Sequence, residues 1–150
     1  MKKSTLTFFL ASLVALIAAT TFFGIYKIRE SQLKADSQLF TIEFSENFLT
    51  NWDLNYFLNN CSEEYRSKLP AEAFRLMINN IQRIGNLQEI LNVEGEISDG
   101  FLFGNREVIA SFRFDGVYDN ETAETILELK QEGGGWKVNN FYIKSTLLAD

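Results

Sequence analysis

From Thr5 to Tyr26 the chain runs for 22 residues without a charged side chain, and 16 of these are apolar. In lipid a lone segment satisfies its own backbone hydrogen bonds only as a helix. At about 1.5 Å per residue such a helix reaches roughly 33 Å, against a bilayer core of about 30 Å. The run therefore predicts a membrane-spanning segment within residues 1–30, bracketed by Lys2, Lys3, Lys27 and Arg29, with residues 31–150 as a separate domain. A cleaved secretory signal is the competing reading, since a basic start, an apolar stretch and small residues at Ala18, Ala19 and Thr20 are all present. Against cleavage, apolar character resumes from Phe22 to Tyr26 and no A-x-A step precedes a polar terminus. No cysteine stands near the end of the run to accept lipid, so a lipoprotein is not expected. The short head and its free amine favour a cytoplasmic N-terminus, with the following domain outside the cytoplasm.

That domain is acidic. Only Glu30 among the chain's 20 acidic residues, but four of its 14 basic ones, precede Ser31, so the domain carries a net charge of −9. A surface of that sign repels phosphate backbones, and no nucleic-acid partner is expected. The chain has no histidine, which removes the usual general base near neutral pH and the commonest transition-metal ligand. The single Cys61 closes no intrachain disulfide and is expected to be buried beside Leu58 and Tyr65. Asp115–Asn120 lacks the ligand alternation and closing glutamate of a calcium loop, so neither a metal nor a cofactor is expected.

Periodicity divides the domain in two. Phe40, Phe44, Phe48 and Trp52 recur every four residues with Leu39 and Leu49 beside them, which predicts a helix over 34–51 with one broad buried stripe. Asp53 suits the N-cap of a short helix carrying Leu54, Phe57 and Leu58, closed by Asn59-Asn60. A third helix opens near Pro70, places Phe74, Met77, Ile78, Ile81 and Ile84 on one side and stops at Gly85. Beyond Gly85 the period becomes two. Leu87, Leu91, Val93 and Ile97 share one parity, as do Val108, Ala110, Phe112 and Phe114, and then Ala123, Thr125, Leu127 and Leu129. Asp115 before Gly116 reads as a turn residue, and Gly133-Gly134-Gly135 as a hairpin turn. In the last strand Trp136 and Val138 are even while Phe141 and Ile143 are odd, so a bulge at Asn139-Asn140 is required to keep them on one face, and bulges curve a sheet. The expected class is α+β, with about three helices packed on a curved four-stranded antiparallel sheet.

These residues resemble the small exported NTF2-like domains of bacteria. The resemblance is carried by Gly-Asn-Leu after the last helix, Val108–Phe112, the turn Asn120–Thr125, Gly135–Val138, Phe141–Ile143, and Asn51-Trp52-Asp53 before Tyr56-Phe57. It covers about 110 residues, mostly of packing type, and implies a cone in which a bent sheet wraps helices, with a pocket at the wide end and dimerisation through the open sheet face. It also implies an inner-membrane protein with one span and its domain in the periplasm.

Asp53, Tyr56, Asp115, Tyr118 and Tyr142 are the candidate pocket residues, since an aspartate of raised pKa beside a tyrosine is chemically competent. Each has a structural explanation as well, and no catalytic residue is assigned. Glu63-Glu64 and Glu94-x-Glu96 read as solvated faces. The sequons at Asn60 and Asn120 read as chance. Ile109, Ile126 and Tyr142 fall on the sheet's second face, where a second copy or a partner subunit of a membrane complex would cover them. The expected function is non-catalytic binding of a partner protein or a small apolar ligand. A cofactor-free hydrolase or isomerase using Asp53 with Tyr56 or Asp115 with Tyr142, and a cleaved periplasmic binding protein, are the alternatives.

Overall fold

The computed structural model describes residues 2–68, 70–100 and 107–148. The chain divides into two compact units, Met1–Leu33 and Lys34–Asp150. In the first, helix α1 (Lys2–Asn51) is long and apolar enough to cross a membrane. Its large apolar side chains from Leu13 to Ile28, including Leu16, Ile17 and Phe23, stand exposed with only Tyr26 partly covered, which is the reverse of a core helix and suits a lipid surround.

In the second unit, the C-terminal part of α1 buries Phe44, Phe48, Leu49 and Trp52. Leu39, expected beside that stripe, is instead 58% exposed, because at 3.6 residues per turn it falls about 140–180° around the helix from Phe44 and Phe48. The same helix also buries Ser37, Thr41 and Ser45 completely. Ser37 and Thr41 return their hydroxyls to the carbonyls of Lys34 and Ser37, at 3.0 and 2.9 Å, and so carry little polar cost. Trp52 ends the helix with φ of +54° and donates its N–H to Phe48 O at 2.6 Å.

Asp53 then caps α2 (Leu54–Asn60) as expected, its Oδ1 accepting from the N–H groups of Asn55 and Tyr56 at 2.8 and 3.2 Å. An additional helix, α3 (Glu63–Lys68), follows, with Ser62 Oγ accepting from Tyr65 N–H at 3.0 Å. Helix α4 (Ala71–Ile81) opens after Pro70, buries Phe74, Ile78 and Ile81, and passes into a 3-10 turn, Gln82–Ile84. Gly85 ends it at φ of +91°, with the Asp119 side chain so close that a Cβ would sit 2.4 Å from it.

The sheet is antiparallel in the order β1 (Leu87–Asp99), β2 (Val108–Tyr118), β3 (Thr122–Glu132) and β4 (Gly135–Lys144). β2, β3 and β4 alternate as the sequence predicts, burying one face of each. The β4 register slips by one residue between Glu128 and Leu129 of its partner, leaving Asn139 as the extra residue and bringing Trp136, Val138, Phe141 and Ile143 to one side. Two expectations fail. Leu91 is exposed, because β1 bulges on both sides of it, between Leu87 and Glu89 and between Leu91 and Glu94. Asp115 is no turn residue: β2 continues through it to Tyr118, and the chain reverses at Asp119-Asn120.

The helices meet the buried face at β4. Phe141 touches Phe48 and Phe57, each with ring centroids 5.7 Å apart, and Phe57 also meets Phe74 at 5.7 Å and Tyr65 at 6.3 Å. Cys61, buried at 2% exposure, bridges to Val138 and, with Ser62 N–H bonded to Val138 O at 2.8 Å, ties the α2–α3 junction to the sheet.

Candidate functional site

Strand alternation sends every second residue of β1–β4 to the face opposite the helices. Strand pairing sets these residues in lateral rows: Glu94, Arg113, Ile126 and Tyr142 lie abreast, flanked by Leu91, Asp115, Glu124 and Lys144 on one side and Glu96, Ser111, Glu128 and Asn140 on the other. A groove of about 450 Å³ crosses these rows, lined by Glu94, Glu96, Ser111, Arg113, Ile126 and Lys144 among others. A smaller hollow of about 270 Å³ adjoins it at Asn92 and Asp115. Gly95 and Phe112 also border the groove, but on the opposite, helix-facing side of the sheet: there the Phe112 ring lies where a Gly95 side chain would be, at 2.2 Å from a Cβ built there.

The groove's charges are partly paired. Arg113 reaches the Glu94 carboxylate through Nε at 3.0 Å and Nη2 at 2.5 Å, and Lys144 Nζ reaches Glu124 at 2.5 Å. Asn92, held at φ of +53° within the second β1 bulge, donates Nδ2–H to Asp115 at 2.8 Å. Exposed pairs of this kind contribute about 0–1 kcal/mol each. They arrange the surface more than they stabilise it. Ile126 and the 55% exposed Tyr142 supply its apolar part.

The five sequence candidates do not meet in one place. Asp53 is spent on the α2 cap at an exposed position. Tyr56, half-buried, stacks on Phe44 at 5.9 Å, and burial raises its pKa against the lowering effect of a hydrogen bond with Asn47. Asp115 and Tyr142 face outward in different rows. Tyr118 is on the buried face, its hydroxyl 2.6 Å from Thr125 Oγ1 and its pKa pushed up to about 12 by burial. Its ring lies against Gly116, leaving 2.6 Å to a Cβ there, so this tyrosine fills space and offers no proton near neutral pH.

The space between helices and sheet is packed with aromatic rings, with Phe44, Phe48, Phe57, Phe74, Phe112 and Phe114 all at 1% exposure or less. Cys61 is equally withdrawn, its thiol pushed up to about 12 by burial, which keeps it from acting as a thiolate. Among the described residues no three acidic or cysteine side chains gather as metal ligands. Sequence reasoning placed Ile126 and Tyr142 on the outer face and read Glu94 and Glu96 as solvated, but did not join them with Arg113 and Lys144 into one surface. Strand register does that, and register is not written in alternation alone. Comparison with protein-family models, curated proteins and solved structures finds no match for the chain.

Proposed function

We propose that this chain is a membrane-tethered, extracytoplasmic NTF2-like module that binds a partner protein through the outer face of its sheet and performs no catalysis of its own. One observation carries the reading: the helix-facing side of the sheet is filled by its own aromatic rings, while a groove of mixed charge and apolar character lies open on the other side. A small apolar ligand is the weaker form of the reading, because the groove's walls are mostly charged. The NTF2-like assignment draws support from the four-stranded antiparallel sheet, its bulges and the helices gathered on one face. On this reading the leading helix is an uncleaved anchor and the domain lies in the periplasm, beside the inner membrane and whatever complex it serves.

The test uses the full chain in its own membrane. A photo-crosslinking residue is introduced at Ile126 or Tyr142, and at the buried Phe114 as control. The outer positions are expected to yield a discrete adduct and the control none; an adduct at twice the chain's mass identifies the partner as a second copy. Absence of adducts from both outer positions, or equal yield from Phe114, overturns the proposal.

A further inference from the structure

Strand β1 is one edge of the sheet, and among the described residues no strand pairs with its far side. Every second residue of an edge strand turns an N–H and a C=O away from the sheet, which is a template for another strand. Its bulges interrupt that template near Asn92, but from Glu94 to Asp99 the pairing with β2 is regular, from Glu94↔Arg113 to Asp99↔Val108.

Two independent features of this stretch describe what fits there. The first is incomplete burial on the helix-facing side. Val93 and Ile97 are only half-buried, whereas the β2 residues Ala110, Phe112 and Phe114 beside them are at most 1% exposed. A further strand with apolar residues on this side would cover them. The second is charge. All four charged side chains of β1, Glu89, Glu94, Glu96 and Asp99, are acidic. Glu94 and Glu96 point outward two residues apart, at the mouth of the groove. Arg113 answers Glu94, whereas no ion pair to Glu96 is formed among the described residues. A second copy adding its own β1 would set carboxylates against carboxylates, so edge-to-edge self-pairing is disfavoured.

Resting on the reading that the partner is a protein, we infer that β1 from Glu94 to Asp99 receives an extended segment of that partner as a fifth strand, one whose outward residues are Lys or Arg and whose alternate residues are apolar. The backbone supplies the attachment and the alternation supplies the selection, with basic side chains beside Glu94 and Glu96 and apolar ones beside Ile97.

The purified full chain in detergent is titrated with a fluorescent peptide alternating lysine and valine, and with one alternating glutamate and valine. The basic peptide is expected to bind with an affinity that falls as salt rises. It should also slow amide exchange between Glu94 and Asp99, while the acidic peptide should not bind. The double variant Glu94→Gln/Glu96→Gln is expected to weaken binding by roughly fivefold. Equal binding of both peptides, unchanged binding by the variant, or protection appearing at β4 instead would overturn the inference. If the variant self-associates while the wild-type chain binds neither peptide, the carboxylates serve only to keep the edge unpaired, which also overturns it. These outcomes are read on purified protein, so a failure here leaves an adduct at Ile126 or Tyr142 standing, and the reverse.

Discussion

Gly95 and Phe112 are paired across β1 and β2, and the ring occupies the volume that any side chain at 95 would need. Phe112 is 1% exposed and cannot swing aside, so Gly95→Ala forces a shift of the core ring or of the strand. Overpacking of this kind costs about 1–3 kcal/mol, and chemical denaturation should show that loss with an unchanged m-value. Glycine inside a strand pattern is a recognised sign of close approach, yet the sequence does not say which neighbour approaches. The same limit explains Asp115-Gly116. That dipeptide has turn composition, but Gly116 is glycine because the Tyr118 ring lies over it, and the strand runs straight through. Asp53 was legible because a helix cap is local chemistry, decided within three residues. Trp52 was not: its positive φ is imposed where the chain leaves α1, and tryptophan is a residue that rarely accepts it.

At the scale of elements, parity revealed one bulge and concealed two. β4 contains a single inserted residue, so its apolar residues visibly change from even to odd. β1 contains two, one on each side of Leu91, and the second cancels the first; Leu87, Val93 and Ile97 keep one parity, and only the residue between the bulges is misplaced. Helix α3 was missed because six residues with one buried side chain, Tyr65, show no period at all. Tyr65 and the Ser62 backbone hold it to the core and sheet, and its exposed side adds ion pairs. Lys130 of β3 bonds Glu64 of α3 and Glu107, each at 2.9 Å, and Lys68 adds a second cation to Glu64 at 2.8 Å. Hydrogen bonds from Lys68 and Lys130, with their charges, pull the Glu64 carboxyl from its ordinary 4.5 down to about 2. A carboxyl whose pKa is lower in the folded state favours folding above its unfolded value and loses that contribution as pH falls through the folded one. The stability of the domain should therefore decline between about pH 4.5 and pH 2. In Glu64→Gln that part of the decline should be absent, and denaturant midpoints measured at pH 6, 4 and 3 are the check. High salt should shrink the difference, since the pairs are exposed.

The molecule as a whole joins an acidic domain to an apolar leading helix, and the two have opposite demands on solvent. Leu13, Val14, Leu16, Ile17, Phe22, Phe23, Ile25 and Ile28 are all more than 45% exposed, a display that water does not tolerate on a monomer but that a bilayer covers completely. The flanking charges, Lys2 and Lys3 before the span and Lys27 and Arg29 after it, fix its depth more firmly than its direction. On the proposed reading of this helix as an anchor, membrane residence depends on the uncharged run itself. Leu16→Arg/Ile17→Arg places two guanidinium groups near its middle, each costing roughly 2.5–3.5 kcal/mol for insertion. The wild-type chain is expected to stay with membranes through alkaline carbonate extraction and the double variant to appear in the soluble fraction. Both substitutions lie in the unit Met1–Leu33, so the variant's Lys34–Asp150 should keep the Cys61 thiol unreactive until denaturant is added. That thiol separates loss of the anchor from loss of the fold: early reaction would mean the domain had come apart. Carbonate-resistant membrane retention with Cys61 still protected would mean that something other than the helix holds the protein in place.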